Sequence, residues 1–195
     1  MTLALFDFDG TITQKDTFIE FLKFTHGKII FSLYFLILSP VLILLKLKLI
    51  PNWRAKEIVL SFFYRSYKRD KLEKLGNEFI NKIDKLVFTE AKNKINFHKE
   101  SGDRVIIVSA SCDIWIKPWC NKNQIELIST DLLFIDNKFS GKLNGKNCYG
   151  AEKVVKLTKL LNLKEFNYIY AYGDSKGDKE MLSIANEMFY KHFKF

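Results

Sequence analysis

The chain has few cysteines, and none of them has a spacing typical of a metal site or a disulfide framework. Its 195 residues include three, Cys112, Cys120 and Cys148, which is an odd number without close pairs. We therefore expect a cytoplasmic protein whose cysteines stay reduced and pack as small apolar side chains. This argues against a small secreted domain that depends on disulfides.

Histidine is equally rare, and no secretion signal is recognisable. The three histidines, His26, His98 and His192, are scattered, so we expect surface or helix positions rather than a metal site. Asp7 and Asp9 interrupt the first apolar run, which argues against a signal peptide. No internal repeat, low-complexity tract or linker is present, and 48% of the residues are hydrophobic. The composition therefore predicts one folded core.

Acidic residues are outnumbered by basic ones, 22 to 31, which gives a formal charge of +9 and a pI near 9.3. Such a balance favours anionic partners. Nucleic acid is one of them, but the lysines are spread along helix faces, and the Phe-rich stretches are more typical of a core than of a base-stacking platform. We expect a solvated basic surface, and keep a basic anion- or nucleic-acid-binding module with a relic active site as an alternative of another class.

Two carboxylates follow the first apolar run directly. The segment Leu3–Thr11 reads LALFDFDGT, in which a short buried strand is followed by Asp7 and Asp9. Because a strand alternates its faces, both carboxylates point the same way, and Gly10 and Thr11 let the chain turn and present N–H groups beside them. Converging carboxylates repel each other unless a cation or a shared proton lies between them. The motif therefore predicts an active site that binds a metal ion.

Three further motifs place polar side chains at the ends of predicted strands or at a helix start. A β-branched run ends at Ser109, and Lys153 falls in the first turn of an amphipathic helix. A last apolar run leads into a loop that carries Asp174 and Asp178. In open α/β sheets, ligands bind at the C-terminal ends of the strands. We therefore expect these residues to lie around one site.

The four motifs, in this order, resemble those of the haloacid dehalogenase superfamily. Asp7–Ile12, DFDGTI, resembles its first motif, and Ser109, Lys153 and the pair Asp174 and Asp178 match the others. The commonest members of that superfamily are magnesium-dependent phosphatases that work through an aspartyl-phosphate. The resemblance implies an α/β fold, with a Rossmann-like core, a parallel sheet and an inserted small, all-helical cap of the C1 type. It also implies Mg²⁺ as cofactor.

The resemblance implies a role for each side chain in the hydrolysis of a phosphate ester. Asp7 is expected to be the nucleophile, and Asp9 the general acid and then the general base. Other groups hold the phosphate oxygens as their charge redistributes in the transition state. These expected phosphate-binding groups are the side chains of Ser109 and Lys153 and the N–H groups near Gly10 and Ala110.

The expected Mg²⁺ ligands are oxygens, as this ion prefers. They are the carboxylates of Asp7 and Asp174 and the backbone carbonyl of Asp9. We place Asp178 outside the direct ligands, where it orients Lys153 or a metal-bound water.

The cap is predicted between the first strand and the second motif. We assign residues 1–14 and 90–195 to the catalytic core and residues 15–89 to a helical cap. Asp16 is predicted to cap the first cap helix, which Ser39 and Pro40 interrupt. The predicted helices are Thr17–Leu38, Val41–Ile50, Trp53–Tyr67, Asp70–Leu86, Thr89–Glu100 and Asp113–Asn121. The predicted extended segments after the second motif are Ile125–Ser129, a hairpin of Asp131–Ile135 with Lys138–Leu143, and Met188–Tyr190.

The cap contains one long uncharged stretch, residues 29–45. Its length allows a membrane span, but a single span would leave Asp7 on one side of the bilayer and Ser109 on the other, and the site could not assemble. Two interpretations stay open. One is a buried pair of cap helices bent at Pro40. The other is a segment that dips into one leaflet, which the basic residues nearby, among them Lys56, would suit at an anionic membrane surface.

The substrate is expected to be a small phosphorylated metabolite or a lipid phosphate. The cap position resembles that of phosphoserine phosphatase, but Asp16, our candidate for a cap contact with substrate, stands where those enzymes carry Glu, and Gly177 where they usually carry Asn. The apolar cap segment followed by Trp53 and Arg54 resembles the phosphatidylglycerophosphatase type C proteins. A phospholipid phosphatase at the inner membrane surface is therefore the alternative, and the apolar cap could also be covered by a second copy of the chain.

Overall fold

Five parallel strands form the sheet on which the fold is built. The computed structural model describes residues 1–193. Its strands are β1 (Thr2–Phe6), β2 (Arg104–Cys112), β3 (Glu126–Thr130), β4 (Leu132–Ile135), β5 (Lys138–Leu143), β6 (Tyr168–Gly173) and β7 (Glu187–Tyr190). The sheet has the order β3-β2-β1-β6-β7 with every pairing parallel, and β4 and β5 form the predicted antiparallel hairpin. The α/β fold with a parallel sheet is confirmed.

Eight α-helices are present among the described residues, and five of them lie between β1 and β2. They are α1 (Thr17–Ile37), α2 (Ser39–Lys46), α3 (Asn52–Tyr64), α4 (Arg69–Asp84), α5 (Thr89–Glu100), α6 (Asp113–Lys122), α7 (Ala151–Leu160) and α8 (Lys179–Ser183). The inserted helices α1 to α4 agree with the predicted helical segments. The division into a core and a cap at residues 15–89 stays a prediction.

The first inserted helix is interrupted at positions that differ from the predicted one. Gly27 leaves the helical region, with φ 76° and ψ 158°, and the break before α2 falls at Leu38. Pro40 lies in the first turn of α2, where its missing N–H removes no hydrogen bond. α2 ends at Lys46, earlier than predicted, and the two helices are bent by 62°. We refer to residues 28–49 as the apolar helix pair.

An apolar cluster covers each face of the sheet. Along β1, Ala4 and Phe6 belong to one cluster and Leu3 and Leu5 to the other, as the alternation of a strand requires. The cluster around Phe6 continues through Phe21 of α1. The inserted helices therefore pack on the same core as the sheet, and this fixes their position relative to the strand ends.

The cysteines and the one buried histidine have structural positions. All three cysteines are free and buried. Burial raises the pKa of Cys112 to about 12, so its thiol is not a nucleophile at neutral pH. The two ring nitrogens of His98 in α5 form hydrogen bonds with the Asp103 carboxylate and the Tyr172 hydroxyl. The cysteines are part of the packing, as the sequence predicts, and His98 lies on a helix, as predicted, but its side chain is buried.

Candidate active site

The predicted site residues come together at the C-terminal edge of the sheet. Asp7 follows β1, Ser109 lies in β2 and Asp174 follows β6, and these three strands are neighbours. Lys153 reaches the same place from the first turn of α7. These four residues line a cavity of about 340 Å³. The same cavity is lined by Asp9, Asp16, Ala110 and Asp178.

Lys153 lies between two buried carboxylates. Its Nζ donates to Asp7 Oδ1 at 2.5 Å and to Asp178 Oδ1 at 2.6 Å. It also donates to the carbonyl of Val108 at 2.6 Å. Since an ammonium has three N–H donors, these contacts use all of them. Lys153 is therefore held in one place at the wall of the cavity.

This cluster carries more negative than positive charge. Burial raises the pKa of Asp7 to about 7. Lys153 acts in the opposite direction, but the nearby Asp178 carboxylate partly cancels its effect. Burial alone would lower the pKa of Lys153, but the two carboxylates raise it. Lys153 is therefore charged, and a further cation beside the carboxylates would offset the remaining repulsion.

Asp178 is fixed by its own loop. Its Oδ2 accepts from the Ser175 N–H at 2.9 Å, the Ser175 hydroxyl at 2.8 Å and the Asp174 N–H at 3.2 Å. Although burial disfavours its charge, Lys153 and these hydrogen bonds hold the pKa of Asp178 below its usual range. Both of its oxygens are engaged by protein donors, so Asp178 is placed to position Lys153.

The acidic residues of the site form a donor set that fits a divalent cation. Oxygens of Asp7, Asp174 and Asp178 lie within 4.8 Å of one another. The Thr11 hydroxyl is 3.3 Å from Asp7 Oδ2 and 3.4 Å from Asp174 Oδ1, which shows that these two carboxylates converge. Hard oxygen donors are the ligands that Mg²⁺ prefers. The carbonyl of Asp9, the other predicted ligand, stays a prediction.

Gly10 has a different role from the predicted one. Its N–H donates to the carbonyl of Thr13 at 2.9 Å, so this N–H is not a phosphate donor in the structure. The φ of Gly10 is +80°, and a Cβ at this position would come within 2.6 Å of Asp174 Oδ2. Glycine is therefore needed for the backbone conformation and to leave space for Asp174.

Asp9 is held by two hydrogen bonds. Its Oδ1 accepts from the Thr17 N–H at 2.7 Å, and its Oδ2 accepts from the Ser111 hydroxyl. Burial raises the pKa of Asp9 to about 6, with a further contribution from the Asp16 carboxylate and against the two hydrogen bonds. A carboxyl group that titrates near neutral pH can give and take a proton within one reaction cycle.

Ser109 and Ala110 lie where the pairing of β2 with β3 becomes irregular. The buried Ser109 Oγ accepts from the Ser111 N–H at 3.0 Å. The Ala110 carbonyl accepts from Lys56 Nζ at 2.6 Å and from the Thr130 hydroxyl at 2.8 Å. Both residues line the cavity, and the predicted use of an N–H near Ala110 for phosphate stays a prediction.

Ser111 is one site residue that the sequence interpretation misses. Its hydroxyl binds Asp9, the predicted general acid. It stands two positions after Ser109, and strand alternation places residues i and i+2 on the same face. This spacing is a signal that could have identified it.

Lys56 is a second residue of this kind, since the sequence interpretation counted it only among the basic residues that would suit an anionic membrane surface. It is half-buried, and its Nζ points into the cavity, where it donates to Asn147 Oδ1 at 3.2 Å as well as to the Ala110 carbonyl. Helical spacing is the signal that could have identified it, because other residues on the same side of α3 line the cavity too. These are Asn52, Ala55 and Val59.

Part of the cavity wall is apolar. Phe35 of α1 and Leu42 and Leu45 of α2 line it, and all three belong to the apolar helix pair. Phe18 and Ile19, at the start of α1, add to this wall. The cavity thus joins the charged groups at the sheet edge to apolar side chains of the inserted helices.

Asp16 and Gly177 are the two positions at which the sequence differs from the pattern of phosphoserine phosphatases. Asp16 caps α1, since its Oδ1 accepts from the Ile19 N–H at 3.2 Å, and its contact with a substrate stays a prediction. A Cβ at Gly177 would lie 2.3 Å from the ring of Tyr149. Tyr149 lines the cavity. An aromatic ring therefore takes the space that a side chain at position 177 would need.

Sequence comparisons agree with this arrangement. A family model described as haloacid dehalogenase-like hydrolase matches residues 4–183. Protein CicA of Caulobacter vibrioides is 32% identical over 195 residues, which cover 98% of this chain and 86% of that protein. The similarity to CicA therefore includes the inserted helices as well as the sheet.

Two solved structures are similar in fold. A Bordetella pertussis protein of unknown function has a TM-score of 0.84 at 22% identity, covering 96% of this chain and 88% of that chain. A phosphoserine phosphatase, solved as a phospho-aspartyl intermediate analogue, has a TM-score of 0.68 at 21% identity, covering 95% of this chain and 84% of that chain. At these identities, the likeness extends to the fold alone.

Proposed function

The chain belongs to the haloacid dehalogenase-like hydrolase family, and we propose that it hydrolyses phosphate monoesters through an aspartyl-phosphate on Asp7. The observation that carries the proposal is the cluster at the sheet edge, where Asp7 lies 2.5 Å from Lys153 and converges with Asp174. A phosphate group in this cavity would meet a carboxylate nucleophile, a fixed ammonium group and a donor set for a divalent cation. The phospho-aspartyl analogue of a phosphoserine phosphatase with this fold supports the same chemistry.

In the first step, a carboxylate oxygen of Asp7 attacks the phosphorus of the ester. The bond between phosphorus and Asp7 forms as the bond to the leaving alcohol breaks. Asp9, in its protonated form, gives its proton to the oxygen of that alcohol. The products of this step are the free alcohol and a phosphorylated Asp7.

In the second step, the ionised Asp9 takes a proton from a water molecule, whose oxygen attacks the phosphorus of the acyl phosphate. The bond between phosphorus and Asp7 breaks, and inorganic phosphate leaves. Ser111 and Thr17 hold the Asp9 carboxyl group in place, so that the same group serves as acid and then as base.

Lys153 and Ser109 are proposed to bind the phosphate oxygens that do not react. On binding, Lys153 would exchange its hydrogen bond to Asp7 for one to a phosphate oxygen, while Val108 and Asp178 keep its ammonium group in place. Charges that are positioned in advance are the most effective way to stabilise a transition state. The role of Asp178 is then to position Lys153.

The carboxylates of Asp7 and Asp174 fit Mg²⁺, which we propose as the cofactor, and we propose the carbonyl of Asp9 as a further protein ligand. When bound, such an ion offsets the negative charge of the carboxylates and the phosphate, so that one anion can approach the other. Asp178 keeps its hydrogen bonds to Lys153 and to its own loop.

A lipid phosphate is the second candidate substrate class, beside a small phosphorylated metabolite. The observation that favours it is the apolar wall formed by Phe35, Leu42 and Leu45. A leaving group with a hydrocarbon chain would bury apolar area against these side chains. Phosphoserine has no such chain, and Gly177 and Tyr149 alter the side of the cavity where phosphoserine phosphatases usually carry Asn.

The proposal is tested by the release of inorganic phosphate from para-nitrophenyl phosphate in the presence of Mg²⁺. Asp7→Asn should lower kcat on the order of 10⁴-fold or more, because the amide keeps the shape of the side chain but is not a nucleophile. Asp136→Asn is the matched control. Asp136 is exposed in the β4–β5 turn with φ 48°, a conformation that asparagine also adopts, so this variant should keep full activity.

Two results would overturn the proposal. One is an Asp7→Asn variant that keeps its activity. The other is a folded wild-type protein that releases no phosphate from aryl phosphates, phosphorylated metabolites or lysophosphatidic acid with Mg²⁺ or Mn²⁺. A salt-sensitive gel shift with nucleic acid in that second case would favour the binding module with a relic site.

A further inference from the structure

The outer side of the apolar helix pair is itself apolar. On α1, the exposed residues Ile29, Leu33, Leu36 and Ile37 follow the helical spacing i, i+4, i+7 and i+8 and form one stripe. Ile29 is 86% exposed and Leu36 is 70% exposed. The inner side of the same helix buries Phe31. A helix on a protein surface normally carries polar residues on the side that faces water, and this one is apolar on both sides.

The second helix continues the exposed stripe. Ile43 and Leu44 of α2 are exposed, and so are Leu47 and Leu49, which follow the helix. Leu47 is 62% exposed, which is typical of a polar position. Monomeric proteins rarely expose contiguous apolar patches of this kind unless the patch binds something.

The charges around this surface have one sign. Residues 21–56 contain no Asp or Glu. Lys28, Lys46 and Lys48 are exposed beside the apolar side chains, and the ion pairs found among residues 1–193 do not involve them. A second copy of this surface would bring like charges together. A surface of anionic lipid would attract all three.

The geometry fits a segment that lies in a membrane surface. No helix among the described residues is by itself long and apolar enough to cross a bilayer, and α1 and α2 satisfy that test only together, as a bent pair. Residues 28–37 extend about 15 Å at 1.5 Å per residue, roughly half of the hydrocarbon thickness of a bilayer. Asp7 and Lys153, which precede and follow the pair in the chain, are in direct contact. The chain therefore returns to the side from which it came.

We propose that the apolar helix pair docks on an anionic phospholipid surface, with its exposed stripe among the acyl chains and Lys28, Lys46 and Lys48 at the level of the headgroups. The proposal goes beyond the proposed function and depends only on this surface, so it can hold or fail whatever the chemistry at Asp7.

Docking in this way has a consequence for the cavity. Phe35, Leu42 and Leu45, which line its apolar wall, lie on the same two helices as the exposed stripe. The cavity would therefore open close to the lipid surface, where a substrate with a hydrocarbon chain could reach it without crossing water.

The experiment is co-sedimentation of the protein with vesicles of phosphatidylcholine alone or of phosphatidylcholine with phosphatidylglycerol, at low salt. We expect binding to the vesicles that contain phosphatidylglycerol. The triple variant Ile29→Ser, Leu36→Ser and Leu47→Ser should lower the partition coefficient at least about tenfold, because it removes three of the four most exposed apolar side chains of the pair.

A matched control replaces three apolar residues of similar exposure outside the helix pair. Ile135→Ser, Leu160→Ser and Met188→Ser should leave vesicle binding unchanged. Circular dichroism and thermal unfolding of both triple variants establish that each one folds, so that a loss of binding can be assigned to the surface.

Charge is tested separately. The double variant Lys46→Gln and Lys48→Gln should weaken binding to the phosphatidylglycerol vesicles by about fivefold per lysine, with little change on phosphatidylcholine alone. Equal binding of the double variant and the wild type to anionic vesicles would contradict the proposed lysine contacts.

Three results would overturn the proposal. The first is a wild type that does not sediment with anionic vesicles. The second is a triple variant of the pair that binds as well as the wild type, and the third is an equal loss of binding in both triple variants. Light scattering tests the alternative that a second copy covers this surface. That alternative holds if the wild type is a dimer that does not bind vesicles and the Ile29, Leu36 and Leu47 variant is a monomer.

Discussion

The charged cluster around Asp7 and the apolar helix pair depart from the usual distribution of residues in opposite ways. In the cluster, charged side chains are buried, and Lys153 makes contacts with all three of its donors. In the helix pair, large apolar side chains such as Ile29 and Leu36 are exposed. Burying a charge and exposing an apolar stripe both oppose folding. Such departures are expected where a protein binds something.

The two regions also differ in what completes them. The protein itself supplies most partners in the cluster, and the excess of negative charge leaves room for a cation and a phosphate group. The helix pair is packed on its inner side by the core, and its outer side has no protein partner in the part of the chain that the structure describes. Substitutions should therefore affect stability and activity in the cluster, and association with a surface in the helix pair.

The largest difference between the regions should appear in stability. Lys153→Met should lower the free energy of unfolding by about 3–5 kcal/mol, because it leaves Asp7 and Asp178 buried without a cation. Urea unfolding in the presence of a chelator measures this directly. The control, Lys28→Met in the helix pair, should change it by less than about 0.5 kcal/mol, since Lys28 is exposed. Equal losses of unfolding free energy in the two variants would contradict the proposed difference between the cluster and the helix pair.

A smaller effect is expected from the hydroxyl that holds Asp9. Ser111→Ala should lower kcat for an aryl phosphate about tenfold, which is the effect of losing one hydrogen bond to a charged group, and should leave KM nearly unchanged. Ser32→Ala, which removes a hydroxyl that donates to the Lys28 carbonyl in the helix pair, is the control and should leave kcat unchanged. A rise in KM without a fall in kcat would mean that Ser111 acts on substrate binding and not through Asp9.

The smallest effect is expected from the exposed stripe. Ile29→Ser, Leu36→Ser and Leu47→Ser should each change the free energy of unfolding of the free protein by less than about 0.5 kcal/mol, because these side chains are in water already. Thermal unfolding of the three single variants without lipid measures it. A loss as large as that expected for Lys153→Met would show that these side chains are packed in the free protein, and the contrast with the cluster would fail.

Most of the sheet and much of the site could be predicted from local sequence. Asp7 and Asp9 directly follow a short buried strand, Ser109 lies in the C-terminal half of a second and Asp174 follows a third. The edge at which they meet therefore follows from the direction of parallel strands. Lys153 in a first helical turn was recognisable in the same way. These predictions depend on spacing along the chain, which the sequence shows directly.

What could not be predicted depends on contacts between distant segments. The sequence allows Gly10 to offer its N–H to phosphate, but the folded loop directs it to Thr13. Lys56 looks like one basic residue among several, and only the folded structure shows that its side chain reaches the Ala110 carbonyl and Asn147 at the cavity. The helix break lies at Leu38 because Pro40 is compatible with the first turn of α2.

The most direct test of the account is the identification of the residue that carries phosphate during turnover. The protein is quenched with acid while it hydrolyses an aryl phosphate in the presence of Mg²⁺, and the tryptic peptides are analysed by mass spectrometry. The account predicts one hydroxylamine-sensitive phosphoryl group on the peptide Met1–Lys15, located at Asp7, absent in Asp7→Asn and retained in Asp136→Asn. Turnover without this group, or the same group in Asp7→Asn, would contradict it.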